Sequence, residues 1–239
     1  MSKKHLTLNI GASAVELAEY EQGAKGALTL VNYGTAQLAA PLDGGNAETI
    51  LSPAILEIVR EKGIKPGPVA IAVSGQMAFQ RFAAIPMAGG DEKFEQMVRY
   101  EIEQNVPFPI DEMVCDRQVV GDTENGDKSV LIVAAKVDQV EELTSAVASA
   151  GFTPELVDVA PLALTNALAF GQGDEGACSV ILDIGAMTSD VVFAPMSRMT
   201  QQPSSGRALR MRLTSASGAT STSSTRNPAP AIASVIAST

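Results

Sequence analysis

Two periods of apolar residues run along the chain, and together they predict a mixed α/β protein. Short apolar runs joined by glycine-containing connections predict strands, and apolar residues three and four positions apart predict helices. Gly63 is expected to end the first helix, in which Pro53 is tolerable only in the first turn. The predicted strands and extended segments are 6–10, 15–20, 27–33, 68–73, 80–85, 116–120, 129–136, 154–159, 180–182 and 190–193, and the predicted helices are 46–62, 91–105, 137–150 and 161–170.

One short sequence occurs twice, near each end of the predicted fold. Leu8-Asn9-Ile10-Gly11-Ala12 matches Leu182-Asp183-Ile184-Gly185-Ala186 in all but one position. Each copy ends one apolar strand and leads through a small turn into another. Glycine permits close approach of a ligand to the backbone, and successive turn N–H groups can face an anion. The repeat therefore favours a pair of phosphate-binding hairpins over ordinary turns, which remain the alternative for either copy alone.

Two phosphate hairpins a domain apart resemble the paired loops of the actin-like nucleotide-binding superfamily, which includes sugar kinases, heat-shock chaperones and FtsA. There the loops face each other across a cleft and hold the phosphates of ATP and its Mg²⁺. The resemblance implies ATP and Mg²⁺ as ligands and Asp183 as the metal-binding residue. It implies eight nucleotide-binding residues: Asn9, Gly11, Ala12, Ser13, Asp183, Gly185, Ala186 and Thr188.

A second motif makes the resemblance more specific. The segment 94–112 combines a predicted amphipathic helix with Val106-Pro107-Phe108-Pro109 and an acidic extension, and an extended strand follows. This arrangement is similar to the family of the type IV pilus assembly protein PilM. The family implies a cytoplasmic scaffold that binds the N-terminal tail of an inner-membrane PilN-like protein, in a groove between the first core subdomain and an inserted subdomain. Membrane association would then come through the partner.

The sequence departs from the family in two places. Asn9 stands where the family has aspartate, and an amide lacks the negative charge that helps to hold hydrated Mg²⁺. The adenosine-binding second lobe is expected to be largely missing, because 195–239 is rich in serine and threonine and has no acidic residue. We interpret this tail as out-of-frame translation, with a disordered linker as the alternative. ATP affinity is therefore expected to be weak or absent.

Composition and charge exclude several classes of function. The formal net charge is −10, and all 27 acidic residues precede position 195, so general nucleic-acid binding is not expected. No apolar run is long enough to span a membrane. The single histidine, His5, gives little support for imidazole catalysis, and Glu101 and Glu103 point to different faces of their helix. No catalytic residue is assigned, and at most a weak ATPase is expected.

The sequence thus predicts four parts: a first actin-like core subdomain at 1–75, an inserted α/β subdomain at 76–152, a return to the core with the second hairpin at 153–194, and the tail at 195–239. The predicted function is a pilus-assembly scaffold whose incomplete cleft exposes apolar surface and promotes self-association. The alternatives are an FtsA-like division scaffold, a type II secretion scaffold, or a small-molecule kinase of the same superfamily. The kinase would need a catalytic carboxylate and a complete second lobe.

Overall fold

The computed structural model describes residues 3–23, 26–87, 89–170 and 178–195. The order of strands and helices matches the prediction, and most strands extend a few residues further. Of the tail predicted at 195–239, only Pro195 lies within the described residues. The elements are β1 (Lys3–Ile10), β2 (Ala14–Gln22), β3 (Leu28–Gln37), α1 (Ala47–Lys62), β4 (Pro68–Val73), β5 (Ala78–Ile85), α2 (Gly90–Asn105), β6 (Met113–Asp122), β7 (Lys128–Lys136), α3 (Val137–Ser149), β8 (Thr153–Val159), α4 (Ala160–Phe170), β9 (Cys178–Ile184) and β10 (Ser189–Pro195).

A five-stranded mixed sheet forms the centre, in the order β3-β2-β1-β4-β8. The pairs β1–β2 and β2–β3 are antiparallel, and β1–β4 and β4–β8 are parallel. Alternate residues of the strands are buried in one apolar core with α1 and α3. The sheet packs against α1 through Leu8, Leu17 and Ile71, which are buried together with Ile55 and Ile58 of the helix. Removing these apolar side chains from water stabilises the contact between sheet and helix.

Helix α1 differs from the prediction at its proline. Pro53 is the seventh residue of the helix and so lies beyond the first turn. Proline removes one i→i−4 hydrogen bond there, and burial of Leu51, Ala54 and Ile55 around it holds the helix in place despite that loss. The predicted helix end is confirmed, because Gly63 adopts a left-handed conformation and donates its N–H to Val59 O.

The segment between β4 and β8 forms a second, three-stranded antiparallel sheet in the order β5-β7-β6. One face of this sheet packs against α2 through Phe94, Val98 and Ile102. The other face of β7, with Leu131 and Val133, belongs to the main core. The two sheets therefore share one continuous apolar core through β7, and the predicted division at 76 and 152 stays a prediction.

Strands β9 and β10 form a two-stranded antiparallel hairpin. Both strands contact α4, which also contacts β4 and β8. Within the described part of the chain, no helix is both long enough and apolar enough to cross a membrane.

Candidate functional site

The two predicted phosphate hairpins have the same turn geometry. Gly11 donates its backbone N–H to Ala14 O at 2.9 Å, and Gly185 donates its N–H to Thr188 O at 2.8 Å. A glycine thus begins each turn. Two residues remain at each tip, and none of their backbone N–H groups donates a hydrogen bond within the described residues: Ala12 and Ser13 in the first turn, Ala186 and Met187 in the second.

The register of the two hairpins also matches. Asn9 lies directly opposite Glu16 in β1–β2, and Asp183 lies directly opposite Asp190 in β9–β10. Directly opposite residues project from the same face of an antiparallel pair, with their Cβ atoms about 5 Å apart. The sequence repeat therefore places a pair of polar side chains at the same position in each hairpin.

In the first hairpin, the polar pair forms a hydrogen bond. Asn9 Nδ2 donates to Glu16 Oε2 at 3.1 Å. The neighbouring residues of both strands, Ile10 and Val15, lie in the main core, so Asn9 and Glu16 project from the face of the sheet opposite α1. This side chain–side chain bond engages an N–H of the Asn9 amide.

In the second hairpin, the polar pair consists of two carboxyl groups. Burial raises the pKa of Asp183, and the nearby charge of Asp190 raises that pKa further. Like charges directly opposite each other destabilise a strand pair. A cation beside Asp183 would relieve that repulsion, so this carboxylate is chemically suited to Mg²⁺.

Gly75 marks where the second hairpin approaches the central sheet. A Cβ at Gly75 would lie 3.4 Å from Asp190 Oδ1 and 3.0 Å from Pro161 Cγ. Gly75 lies just beyond β4, which pairs with β1 up to Ile10. The carboxyl groups of Asp183 and Asp190 therefore lie near the C-terminal ends of β1 and β4, where the first turn also lies. Among the described residues, no hydrogen bond joins the two turns, and their predicted apposition stays a prediction.

One further carboxyl group shares a sheet face with Asn9. The register runs from Asn9 to Ala72 of β4 and from Ala72 to Asp158 of β8. Asp158 is only 7 % exposed and accepts a hydrogen bond from the N–H of Val159 at 2.8 Å. Burial raises the pKa of Asp158 to about 7, and the charge of Asp116 in β6 adds to the shift. The sequence assignment missed Asp158, although its signal was a lone charge within the apolar run Leu156 to Ala160.

The two hairpins fit Mg-ATP unequally. Asp183 in the second hairpin suits the metal ion. In the first, the amide of Asn9 donates to Glu16, whose carboxylate is a charge that repels phosphate. The resemblance implies that the first hairpin binds a phosphate, but the charge of Glu16 is unfavourable for this ligand. The nucleotide-binding assignment of the eight residues stays a prediction.

The second sheet carries an accessible edge. β5 pairs only with β7 among the described strands, and Gln80, Arg81 and Phe82 in its centre are exposed. Phe82 lies opposite Leu131, on the sheet face that joins the main core, and is 67 % exposed. An exposed aromatic side chain thus lies on the face of the second sheet that joins the main core.

Comparison with known proteins identifies the family. The family model for the type IV pilus assembly protein PilM matches residues 7–198. A chain in the structure of a PilM-PilN type IV pilus biogenesis complex is 27 % identical, with a TM-score of 0.70. The match covers 81 % of this chain and 59 % of that chain, so this chain spans less than two thirds of the length of its relative.

Two further structures match this chain at lower similarity. The cytoplasmic domain of EpsL from the Vibrio cholerae type II secretion system is 14 % identical, with a TM-score of 0.48 over 80 % of this chain and 71 % of that domain. A Bacteroides thetaiotaomicron protein with an actin-like ATPase fold is 8 % identical, with a TM-score of 0.44 over 82 % of this chain and 66 % of that protein. The predicted actin-like α/β class is confirmed. The chain belongs to the PilM family of type IV pilus assembly proteins.

Proposed function

We propose that this chain is a cytoplasmic scaffold of the type IV pilus machine that binds the N-terminal tail of an inner-membrane PilN-like protein. The observation that carries the proposal is the likeness to a chain from a PilM-PilN complex over 81 % of this chain. The family model matches residues 7–198, which include most of the central sheet and the whole second sheet, and the proposed binding groove would lie between these sheets. Such a contact would hold the chain at the membrane through its partner.

The exposed edge of β5 is the proposed docking strand for the tail. Extended peptides commonly add a strand to an open sheet edge, where main-chain hydrogen bonds supply affinity and side-chain pockets supply specificity. β5 offers eight residues of edge, with its centre exposed. β6, the opposite edge strand, is partly buried along nearly its whole length and is therefore less accessible.

Phe82 is the proposed apolar anchor at this edge. Aromatic residues are enriched among the side chains that dominate binding energy, because they bury a large area with few rotatable bonds. Leu131 opposite Phe82 is almost fully buried, so a peptide side chain resting on Phe82 would extend an existing apolar surface.

Fluorescence anisotropy tests the proposal with the full chain and a labelled N-terminal peptide of a PilN-like protein encoded by a neighbouring gene. We expect saturable binding that Phe82→Ala weakens at least about fivefold. Phe193→Ala is the matched control, since Phe193 is 70 % exposed but lies on the second hairpin. Asp183→Ala tests whether the tail uses the nucleotide cleft instead. Absence of binding, or equal losses in all three variants, would refute the proposed site.

A further inference from the structure

Because the two hairpins share a sequence repeat, the charges of their side chains can be compared position by position. Positions 9 and 16 of the first hairpin correspond to 183 and 190 of the second, in sequence spacing and in strand register. A carboxylate stands at the second position of each pair, and the residues are Glu16 and Asp190. The first hairpin thus has Asn9 in place of an aspartate equivalent to Asp183, and it keeps the negative charge of Glu16 on the opposing strand.

Glu16 lies close enough to the first turn to act on a ligand there. It follows Ala14, the residue that closes the turn, by two positions. Two strand residues span about 7 Å, which is shorter than the Debye length of about 8 Å at physiological ionic strength. A phosphate held by the N–H groups of Ala12 and Ser13 would therefore experience the charge of Glu16 with little screening.

Asn9 fixes the position of that charge. Its Nδ2 group donates to Glu16 Oε2, so the glutamate side chain is anchored on the same face as Asn9. The bond uses a donor of Asn9 that could otherwise reach a phosphate oxygen. Asn9 and Glu16 thus act in the same direction, since one donor is withdrawn and one negative charge is held in place.

We propose that Glu16, anchored by Asn9, is a selectivity residue that disfavours polyphosphate binding at the first hairpin. The proposal differs from a simple loss of aspartate at position 9. If the aspartate alone were missing, Asn9→Asp would restore binding. With Glu16 present, that substitution creates a pair of opposing carboxylates like Asp183 and Asp190, which in the absence of Mg²⁺ adds repulsion towards a phosphate.

Isothermal titration calorimetry with tripolyphosphate tests this role, with and without Mg²⁺, on the full chain. Tripolyphosphate carries the charge of the nucleotide and needs no adenosine subsite. Glu16→Gln preserves the shape and a hydrogen-bonding partner for Asn9, and we expect it to bind at least about tenfold more tightly than the unmodified chain. Glu16→Lys should increase affinity further because it replaces repulsion by attraction.

Glu21→Gln is the matched control. Glu21 lies on the same strand, pairs in register with Lys4 at the end remote from the turn, and its substitution changes the net charge equally. We expect its affinity to equal that of the unmodified chain. Folding of each variant is checked by thermal melting. The proposal is overturned if neither folded Glu16 variant gains affinity, or if Glu21→Gln gains as much. The readout is independent of peptide binding, so its failure leaves the scaffold proposal unaffected.

Discussion

The two hairpins share the repeat Leu-x-Ile-Gly-Ala and the same strand register but have different surroundings. In the first, Leu8 and Leu17 lie opposite each other and are buried beneath α1, with 1 % and 0 % of their surface exposed. In the second, Leu182 and Val191 occupy the corresponding positions and are 59 % and 54 % exposed. The local sequence therefore determines the turn and the register of each hairpin. It does not determine burial, which depends on the helix that packs above the strands.

The same contrast applies to the polar faces. The first hairpin pairs an amide with a carboxylate through a hydrogen bond, whereas the second opposes two carboxyl groups. The second position carries a carboxylate in both hairpins, so the difference at the first position, Asn9 against Asp183, separates an attractive pair from a repulsive one. Two sites with one backbone geometry can thus differ in the ligands they favour, and this difference can be tested one residue at a time.

Matched leucine truncations give the largest expected difference. Leu8→Ala should lower the free energy of unfolding by about 2–5 kcal/mol, because it removes buried methyl groups and leaves a cavity under α1. Leu182→Ala should change it by less than about 0.5 kcal/mol, since the side chain is mostly in water. Urea unfolding of the full chain measures both. Equal losses would mean that the second hairpin is covered as well as the first.

The buried carboxyl group of Asp158 should make stability depend on pH. Its folded-state pKa of about 7 lies above the ordinary value, so the unfolded chain loses this proton at lower pH than the folded chain. The stabilising contribution is complete below about pH 4, declines as pH rises towards 7, and is lost above the folded pKa. Relative to Asp158→Asn, the unmodified chain should lose about 3 kcal/mol between pH 5 and pH 8.

Urea unfolding of both chains across that pH range gives the measurement, and the difference between them removes the contributions of other groups. Asp183→Asn is the control from the second hairpin. The pKa of Asp183 is also raised, but this carboxyl group is only partly buried, and we expect a smaller slope with the same sign. A pH-independent difference between Asp158→Asn and the unmodified chain would contradict the assignment of Asp158 as a buried protonated acid.

The helix that covers the first hairpin is itself anchored by a glutamate. Glu142 Oε1 of α3 accepts hydrogen bonds from Gly45 N at 2.7 Å and Ala47 N at 2.9 Å, at the start of α1. A carboxylate at a helix N-terminus satisfies free N–H groups and complements the helix dipole. Glu142→Ala should cost about 1–2 kcal/mol. Glu141→Ala, exposed on the same helix, should cost less than about 0.5 kcal/mol.

Hydrogen–deuterium exchange distinguishes this anchor from a general loss of stability. Glu142→Ala should increase exchange first in the N-terminal turns of α1, and the second hairpin should be unaffected. An increase that is uniform over the described residues would assign Glu142 a purely global role.

The sequence predicted most of the fold because its signals are local. Apolar periodicity and the repeated Leu-x-Ile-Gly-Ala motif located the strands, the helices and both turns. The expectation that Pro53 is tolerable only in the first turn of the helix was wrong, because tertiary packing of Leu51 and Ile55 outweighs the lost hydrogen bond. Asp158 was missed because its place beside Asn9 depends on register through β4 and β8, which are distant from β1 in sequence. The Asn9–Glu16 hydrogen bond was missed because it depends on the exact pairing of β1 with β2.

The smallest effect on stability is expected for a substitution on the exposed face of the second hairpin, which should instead alter association between chains. One face of the second hairpin exposes five apolar side chains, those of Val180, Leu182, Ile184, Val191 and Phe193. The equivalent face of the first hairpin lies under α1, so this surface has the chemistry of an unburied core, and exposed apolar patches promote association. Phe193→Ser should change the free energy of unfolding by less than about 0.5 kcal/mol and should reduce concentration-dependent association in light scattering. Phe82 lies on the second sheet and is about as exposed as Phe193, so Phe82→Ser is the control and should leave association unchanged. If the unmodified chain is monomeric at every concentration, or if both substitutions act alike, the second hairpin is not the surface that associates.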